Sequence, residues 1–450
     1  MHYAVKTLGC KVNQIESLHL AETLEELGFK PAEAGNGVDL CVINTCTVTA
    51  KTDSQCRQMI RRMVRENPGA RVVVTGCYAA VAEEAIRAIP GVGAVMGNAE
   101  KGRARSALAR EVILLQNGSG TLSSSAVSHR NPPVLSGIRD QAGLITGAGG
   151  RSRAFVRVQD GCQSFCAYCI VPYARGPVKS EDPDRVAAQF ELLVDQGYPE
   201  VVLSGIHLGA YGTDRRERQG LAKLVRRLLL IPGEFRIRLS SVEATEVDAN
   251  LIDLVMGEEK ICRHLHIPLQ SGDNQLLQRM KRPYSREAYE ELVRGLRDRD
   301  PRMALGTDLI VGLPGETDES FEDASAFIAA LPLTHFHVFP YSRRDGTEAA
   351  AMAGQVSAAV KKERARCLRE LCGEKHTAFL SSMVGQTLDV VAIGDSEKTD
   401  GPIQVLSDNY MEGVLSDSGG SGAGRAGIFP VAVADRSGGR LVVEEVRHGS

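Results

Sequence analysis

Three cysteines lie close together in the segment DGCQSFCAYCIVPYARG, at Cys162, Cys166 and Cys169. Thiolates at this spacing can hold three corners of a [4Fe-4S] cluster, which ordinarily takes a fourth protein ligand. No fourth cysteine follows nearby, so one iron would stay open to a reactant. A structural zinc site is the alternative, but it also needs a fourth ligand, and the nearest candidate, His207, is a full βα unit away. The triplet favours an iron-sulfur cluster with an open iron over zinc.

Three more cysteines each follow the end of a predicted strand. If these strands are parallel, their carboxyl ends share one edge of the sheet, so the cysteines can meet although no short motif links them. Gly9 and Gly76 directly precede two of the cysteines and permit the tight turns that this requires. The sequence therefore predicts a second cluster with three protein ligands. The strands and their cysteines are 3–8 with Cys10, 39–44 with Cys46 and 71–75 with Cys77.

The remaining cysteines are interpreted as small buried hydrophobic residues. An odd total of 11 cysteines, with no export signal in the start MHYAVKTLGC, argues against a disulfide framework. No apolar run approaches the roughly 18 residues that span a bilayer, so we expect a cytoplasmic protein without membrane contact. The residues interpreted in this way are Cys41, Cys56, Cys262, Cys367 and Cys372.

The strands and helices that position both triplets alternate along the sequence, and this alternation predicts an α/β protein. Residues 1–116 follow the order β-α-β-α-β, which builds a parallel, Rossmann-like sheet. The Ser-, Gly- and Pro-rich residues 117–151 are predicted to be a linker. Residues 152–380 alternate six strands with helices, which favours a partial βα barrel with its chemistry at the carboxyl ends of the strands, although a doubly wound sheet stays possible. Residues 381–450 predict a small all-β barrel.

The composition is that of a folded protein with several domains. Of the 450 residues, 43% are hydrophobic and 24% are charged, which excludes a largely disordered or fibrous chain. Lys and Arg total 53 against 56 Asp and Glu, a net charge of −3, so any nucleic-acid contact must come from a local patch. Arg57, Arg61 and Arg65 recur on one predicted helix face and could meet phosphates, but a solvated face is the commoner explanation.

The Cys162 triplet resembles the motif of the radical S-adenosylmethionine (SAM) superfamily. The resemblance implies that SAM chelates the open iron and is cleaved to a 5′-deoxyadenosyl radical by an electron from the cluster. It also implies that the aromatic residue before the third cysteine, Tyr168, lies against the cofactor. A low-potential electron donor such as flavodoxin or ferredoxin is then expected.

The two cysteine triplets, followed by a β-rich tail, resemble the methylthiotransferase family of radical SAM enzymes over nearly the whole chain. In that family the amino-terminal cluster handles sulfur, one SAM donates a methyl group, and a second SAM makes the radical. The target is an inert C–H bond with no acidic proton, which is why a radical cofactor is needed. The resemblance therefore implies two [4Fe-4S] clusters and SAM as cofactors.

Three segments resemble one branch of the family, which methylthiolates C2 of N6-threonylcarbamoyladenosine at position 37, in the anticodon loop of tRNA. The branch that acts on isopentenyladenosine usually has Met before Asn13, and the branch that acts on a ribosomal protein usually has Lys; here Val12 stands there. Both branches remain alternatives, as does a non-catalytic iron-sulfur protein that binds RNA. The three segments are TLGCKVNQIES (7–17), SGIHLGAYG (204–212) and RIRLSSVEATE (236–246).

The resemblance also implies a SAM pocket at the strand ends. Ser204 and Gly205 would bind the SAM amino group, Ser241 and Glu243 would lie near the ribose, and Gly312 of DLIVGLPGE would let the backbone approach the adenine. For each residue, a turn with a capping side chain is an equally good explanation. His264 and His266 share one strand face, as do His335 and His337; they could contact substrate or fill the barrel lumen, and none is assigned as catalytic.

The tail resembles the TRAM domain, with which family members grip RNA, and the segment SDNY at 407–410 is the closest match. Residues 381–450 carry five basic and ten acidic residues, a net of 5 − 10 = −5. Phosphate binding depends mainly on Lys and Arg, so either a few arginines of this domain contact RNA or the RNA-binding surface lies elsewhere in the chain.

Overall fold

The computed structural model describes residues 1–32, 37–98, 104–116, 144–145, 147, 152–394, 402–416 and 427–446. The predicted linker at 117–151 lies almost entirely outside these residues. Contacts divide the chain into two compact units, Met1–Thr146 with Tyr173–Arg175, and Gly147–Pro172 with Gly176–Ser450. Among the described residues, no helix has both the length and the apolar character that a membrane crossing requires.

The first unit contains a parallel sheet with the strand order β2-β1-β3-β4-β5. Alternate residues of the central strands pack against helices on opposite faces of the sheet, so β3 is buried along its whole length. The parallel sheet that the sequence predicted is confirmed. The strands are β1 (His2–Thr7), β2 (Lys30–Pro31), β3 (Leu40–Thr45), β4 (Arg71–Gly76) and β5 (Val92–Met96), and the helices are α1 (Lys11–Glu26), α2 (Ala50–Glu66), α3 (Cys77–Val81), α4 (Glu83–Arg87) and α5 (Ala104–Gln116).

The second unit begins with two three-stranded parallel sheets, β6-β9-β10 and β11-β12-β13, joined by an isolated parallel bridge between Ile237 and Ile261. This six-strand array confirms the partial βα barrel. A short antiparallel pair, β7 with β8, lies outside the array. The strands are β6 (Ala154–Arg157), β7 (Gln159–Asp160), β8 (Lys179–Ser180), β9 (Glu200–Ser204), β10 (Arg236–Leu239), β11 (His264–His266), β12 (Ala304–Val311) and β13 (His335–Pro340).

Helices cover one face of the six-strand array and bury its apolar residues, among them Ile237 and Leu265. Local signals start these helices: Asp182 caps α7 ahead of Pro183, and Thr317 forms a capping box at α12. The helices of this unit are α7 (Pro183–Asp195), α8 (Gly220–Leu229), α9 (Ala249–Gly257), α10 (Asn274–Arg279), α11 (Arg286–Arg299), α12 (Asp318–Ala330), α13 (Glu348–Ala351) and α14 (Ala358–Met383). The short helix α6 (Val171–Arg175) ends in the three residues Tyr173–Arg175 that belong to the first unit.

The opposite face of the array carries many polar side chains, because several residues that alternate with the apolar ones are charged or histidine. We call this set the polar face. Glu200 is fully buried there and pairs with Arg236 and Arg238. The members used below are Glu200, Arg236, Arg238, His264, His266, His335 and His337.

A closed β barrel follows in the same unit, with the strand order β14-β15-β16-β18-β17, which confirms the predicted all-β tail. It covers the amino-terminal end of the polar face: Arg238 donates to the backbone oxygens of Ser407 and Asp408, and Tyr410 stacks on His264 with ring centroids 4.5 Å apart. The strands are β14 (Thr387–Ile393), β15 (Gln404–Ser407), β16 (Glu412–Leu415), β17 (Ile428–Ser437) and β18 (Arg440–Glu445).

Candidate functional site

The cysteines of the first unit follow the carboxyl ends of three neighbouring parallel strands, β1, β3 and β4. Cys10 is the N-cap of α1, Cys46 follows β3, and Cys77 begins α3. Burial raises the pKa of the Cys46 thiol to about 12, and the nearby thiols of Cys77 and Cys10 add to that rise. The three side chains therefore form one group, as their positions after the strands predict.

Close backbone packing shapes this group. Gly9 has a φ of 123°, and a Cβ at this position would lie 2.8 Å from the Cβ of Cys46. Gly76 has a φ of 103°, and a Cβ there would lie 2.2 Å from the backbone oxygen of Thr45. Both glycines are thus required by backbone conformation and by space. Because Gly9 and Gly76 have no side chains, the turns that precede Cys10 and Cys77 can pack closely against the residues at the end of β3.

A buried amide network holds the same strand ends. Asn13 Nδ2 donates to the backbone oxygens of Leu8 and Thr45, at 2.8 and 3.0 Å. Asn44 Nδ2 donates to the backbone oxygen of Asn13 at 2.9 Å. Since Asn13 and Asn44 are fully buried, these bonds tie α1 to the ends of β1 and β3.

One arginine reaches this group from a distant part of the sequence. Arg175 Nε donates to Cys77 Sγ at 3.1 Å, and the same guanidinium contacts Asn13 Oδ1 at 2.6 Å and Glu16 Oε1 at 2.9 Å. Its side chain is 1% exposed. A buried guanidinium on a thiol stabilises the thiolate form, which is the form that binds metal. Sequence reasoning missed Arg175, since nothing in PYARG links it to Cys77.

In the second unit, Cys162, Cys166 and Cys169 lie on the loop between β7 and α6. The backbone N–H of Cys169 donates to the carbonyl of Cys166 at 2.9 Å, which forms a tight turn. Burial raises the pKa of Cys169 to about 12, and its two partner thiols add to the rise. The loop therefore gathers the three thiols, a donor set that fits an iron-sulfur cluster.

His207, which the sequence suggested as a fourth zinc ligand, lies beside the triplet. Its Nδ1 is 3.5 Å from Cys162 Sγ, and its Nε2 is 2.8 Å from Glu246 Oε1. Despite burial, these two hydrogen bonds raise the pKa of His207 to about 10, while the bond from His207 lowers the pKa of Cys162. His207 thus lies between a cysteine of the triplet and the Glu246 carboxylate.

Arg282 is the second arginine that contacts a cysteine of a triplet. Its Nη1 donates to Cys166 Sγ at 3.1 Å, and its Nη2 pairs with Glu243, the residue expected near the ribose of SAM. The Arg282 side chain is 2% exposed. One buried cation therefore joins a triplet cysteine to the predicted cofactor pocket.

The predicted SAM-binding residues occupy the carboxyl ends of β9, β10 and β12 and the loop before α6. The Ser204 hydroxyl is buried and has no hydrogen-bond partner among the described residues, and the same is true of Ser240. Ser241, which the sequence favoured, is exposed. A buried hydroxyl without a partner is costly unless a ligand supplies one, so Ser204 and Ser240 fit a polar ligand at these ends.

The other expected pocket residues have local roles as well. A Cβ on Gly205 would lie 2.8 Å from Gln159 Oε1, and one on Gly312 would lie 2.2 Å from the Cγ of Lys361. Gly312 therefore also accommodates a neighbouring side chain. Tyr168 packs, partly buried, beside Leu276 and Tyr341.

The remaining cysteines lie apart from the ligand sets. Cys41, Cys56 and Cys262 are buried, while Cys367 and Cys372 are partly exposed. Cys56 Sγ donates to the backbone oxygen of Cys46 at 3.2 Å and so supports that loop.

Two family models match the chain. The radical SAM superfamily matches residues 156–328, and the uncharacterized protein family UPF0004 matches residues 2–97. The second match covers the strands that carry Cys10, Cys46 and Cys77.

Curated relatives match almost end to end. The chain is 37% identical to the threonylcarbamoyladenosine tRNA methylthiotransferase MtaB of Bacillus subtilis, over 92% of this chain and 90% of the relative. It is 35% identical to the protein of the same name from Aquifex aeolicus, over 92% and 96%. It is 34% identical to the tRNA-2-methylthio-N(6)-dimethylallyladenosine synthase of Moorella thermoacetica, over 88% of each chain.

Solved structures share the fold at low sequence identity. The radical SAM methyltransferase TsrM from Kitasatospora setae, with cobalamin and a [4Fe-4S] cluster bound, matches with a TM-score of 0.54 and 17% identity, over 78% of this chain and 77% of that chain. The cobalamin-dependent radical SAM enzyme OxsB matches with a TM-score of 0.51 and 12% identity, over 83% and 56%.

Proposed function

Because this chain belongs to the tRNA methylthiotransferase family of radical SAM enzymes, we propose that it places a methylthio group on C2 of N6-threonylcarbamoyladenosine at position 37 of tRNA. The observation that carries the proposal is the presence of two separate groups of three cysteines, one at the carboxyl ends of β1, β3 and β4 and the other on the loop that follows β7. Family membership makes the chain an enzyme, so a non-catalytic RNA-binding protein is no longer an alternative.

Cys162, Cys166 and Cys169 would hold the cluster to which SAM binds. When bound and reduced, that cluster supplies the electron that cleaves SAM. Arg282 fixes Cys166 and Glu243 relative to each other, and the Ser204 and Ser240 hydroxyls offer hydrogen bonds to a polar ligand at the strand ends. These side chains would be held in position before the ligand binds, so the pocket would be preorganised for it.

Cys10, Cys46 and Cys77 would hold the second cluster, at which sulfur is supplied. The Arg175 guanidinium beside Cys77 favours the thiolate there, and Asn13 holds the loop geometry. This assignment is supported by the gathering of the three thiols and by the fit of three thiolates to three corners of a cubane.

In the overall reaction, the C2–H bond of the adenosine breaks and a C2–S bond forms. The hydrogen would leave in 5′-deoxyadenosine, with methionine as the other fragment of that SAM. A second SAM would provide the methyl group and leave as S-adenosylhomocysteine, and the amino-terminal site would provide the sulfur. The electrons come from a low-potential donor of the flavodoxin or ferredoxin type. We place the reaction in the cytoplasm, where the tRNA substrate is found.

Nucleoside analysis of tRNA from a deletion strain tests the proposal. We expect loss of 2-methylthio-N6-threonylcarbamoyladenosine, with the unmodified threonylcarbamoyl nucleoside accumulating, and restoration by the wild-type chain but not by a Cys166→Ala variant. The similarity to the Moorella enzyme makes isopentenyladenosine the second candidate substrate, and loss of its methylthio form instead would reassign the chain. Mass spectrometry of ribosomal protein from the same strain tests the third branch.

A further inference from the structure

Four histidines crowd the polar face of the second unit, outside the sites described above. His264 and His266 come from β11, and His335 and His337 come from β13. The strand between them, β12, pairs Gly306 with both His266 and His335. One potential ligand nitrogen from each of His264, His266 and His335 lies within 4.8 Å of the other two.

The hydrogen bonds determine which nitrogens carry protons. His266 Nε2 is 3.1 Å from Asp308 Oδ1, so Nε2 carries the hydrogen and Nδ1 keeps a lone pair. The Thr334 hydroxyl donates to the backbone oxygen of Leu305 and therefore accepts from His335 Nδ1 at 3.0 Å, which leaves the lone pair on His335 Nε2.

The two lone pairs meet above the same glycine. A Cβ built on Gly306 would lie 2.5 Å from His335 Nε2 and 2.7 Å from His266 Nδ1. His335 Nε2 is buried and has no hydrogen-bond partner among the described residues. Two lone pairs directed at one point need a cation or a hydrogen-bond donor between them, and three converging imidazoles suit a cation.

His266 and His335 thus each present one ring nitrogen to the space above Gly306, while the other nitrogen of each ring already has an oxygen partner. Neutral imidazoles are the usual nitrogen ligands of zinc and of other first-row divalent metals. Ligating histidines also commonly donate their outer N–H to a carboxylate or another oxygen, as His266 and His335 do here.

We propose that His264, His266 and His335 bind a first-row divalent cation, with Zn²⁺ as the best fit, above Gly306. Zn–N bonds of about 2.0–2.1 Å place tetrahedral ligand nitrogens about 3.4 Å apart, so ring rotations that bring the nitrogens up to about 1.4 Å closer complete the site. Tyr410 stacks on His264 and shields this end of the polar face. This site uses no cysteine and is independent of both cluster sites.

Zinc analysis of the full chain carrying its iron-sulfur clusters tests this site without any turnover. After equilibration with buffered Zn²⁺, we expect one zinc per chain in addition to the iron. X-ray absorption at the zinc edge should show nitrogen or oxygen neighbours at about 2.0–2.1 Å and no sulfur shell at about 2.3 Å. A sulfur shell would place the zinc on cysteines and overturn the proposal, as would the absence of bound zinc.

Variants separate this site from adventitious binding. His335→Ala and Gly306→Ala should abolish the bound zinc, the first by removing a ligand and the second by filling the space above the glycine. Asp308→Asn keeps all three imidazoles and should weaken zinc binding about 10- to 100-fold, so the test holds even if the other variants fold poorly. His19→Ala, on α1 of the first unit, is the matched control and should bind zinc like the wild type. Equal zinc binding in Asp308→Asn and in the control would overturn the proposal.

Discussion

Arg282 donates a hydrogen bond from Nη1 to Sγ of Cys166 across 3.1 Å, from a point 116 residues further along the chain. Both residues are buried, so this bond is little screened by solvent. Hydrogen bonds and positive charge at a cluster sulfur favour the reduced, more negative state and raise the reduction potential. With Cys166 as a ligand of the proposed SAM-binding cluster, Arg282 is expected to raise the reduction potential of that cluster.

Replacing Arg282 with Gln should lower the midpoint potential of the SAM-binding cluster, on the order of tens of millivolts, because a positive charge near a ligating sulfur is lost. Iron content should stay close to that of the wild type. A redox titration followed by electron paramagnetic resonance measures the potential. Arg279→Gln, an exposed change on the neighbouring helix α10, serves as the control. An unshifted potential in the Arg282 variant would show that this bond is only structural.

Substitutions in the two triplets should have separable effects on iron content and chemistry. The wild-type chain should hold about eight irons and either triplet variant about four, because each cubane carries four irons. Cys46→Ala should still produce 5′-deoxyadenosine from SAM but no methylthiolated product, whereas Cys162→Ala should produce neither. Cys41→Ala, a buried cysteine on β3, should keep about eight irons. If Cys46→Ala also keeps about eight, the amino-terminal cysteines hold no cluster.

The positions of the cysteines in the fold could be predicted because they depend on local patterns, whereas their role as cluster ligands stays a prediction. Short β-like runs locate β1, β3 and β4, and cysteines just after neighbouring parallel strands lie at one edge of the sheet. The arginines that contact these cysteines could not be predicted, since Arg175 and Cys77 are 98 positions apart and no periodicity relates them. Long-range side-chain contacts depend on how complete elements pack, and a single sequence does not record that packing.

The SDNY segment shows a second limit. Residues 407–410 are the closest match to an RNA-binding domain, and the structure engages them within the second unit. Ser407 and Asp408 offer backbone oxygens to Arg238, and Asn409 Nδ2 donates to the backbone oxygen of Arg302 at 3.2 Å.

The sequence patterns also failed to predict two short strands with a central glycine, β5 with Gly93 and β16 with Gly413, because glycine weakens the apolar pattern of a strand.

Exposed arginines on α2 should contribute to tRNA binding by neutralising phosphates. Arg57 Nη1 donates a hydrogen bond to the Tyr78 hydroxyl at 2.7 Å, so Arg61 and Arg65 are the members of the predicted basic stripe that can reach RNA. The double variant Arg61→Gln/Arg65→Gln should reduce the slope of log affinity against log salt by roughly one to two, as expected when one or two phosphate contacts are lost. Arg62→Gln is the control, since Arg62 pairs with Glu66 on the same helix. Identical salt slopes for the double variant and the control would exclude this face of α2 from the tRNA interface.

Glu200 should control the acid stability of the second unit. Its fully buried carboxylate accepts from Arg153, Arg236 and Arg238, and although burial alone would raise its pKa, these arginines hold the pKa of Glu200 far below the ordinary value. A depressed folded-state pKa gives stability that is fully present above the unfolded value, about 4.3, and is lost as the pH falls towards the folded value.

Glu200→Gln should therefore lower the free energy of unfolding by about 3–5 kcal/mol near pH 7, because three buried or partly buried guanidinium groups lose their shared counter-charge. Below about pH 4.3 the difference between wild type and variant should shrink by about 1.4 kcal/mol per pH unit, since only the wild type takes up a proton at this position on unfolding. Denaturant unfolding at a series of pH values measures both effects. Glu191→Gln, on the exposed side of α7, should leave the pH dependence unchanged. A difference that stays constant below pH 4 would mean that the carboxylate pKa is not depressed by the arginines.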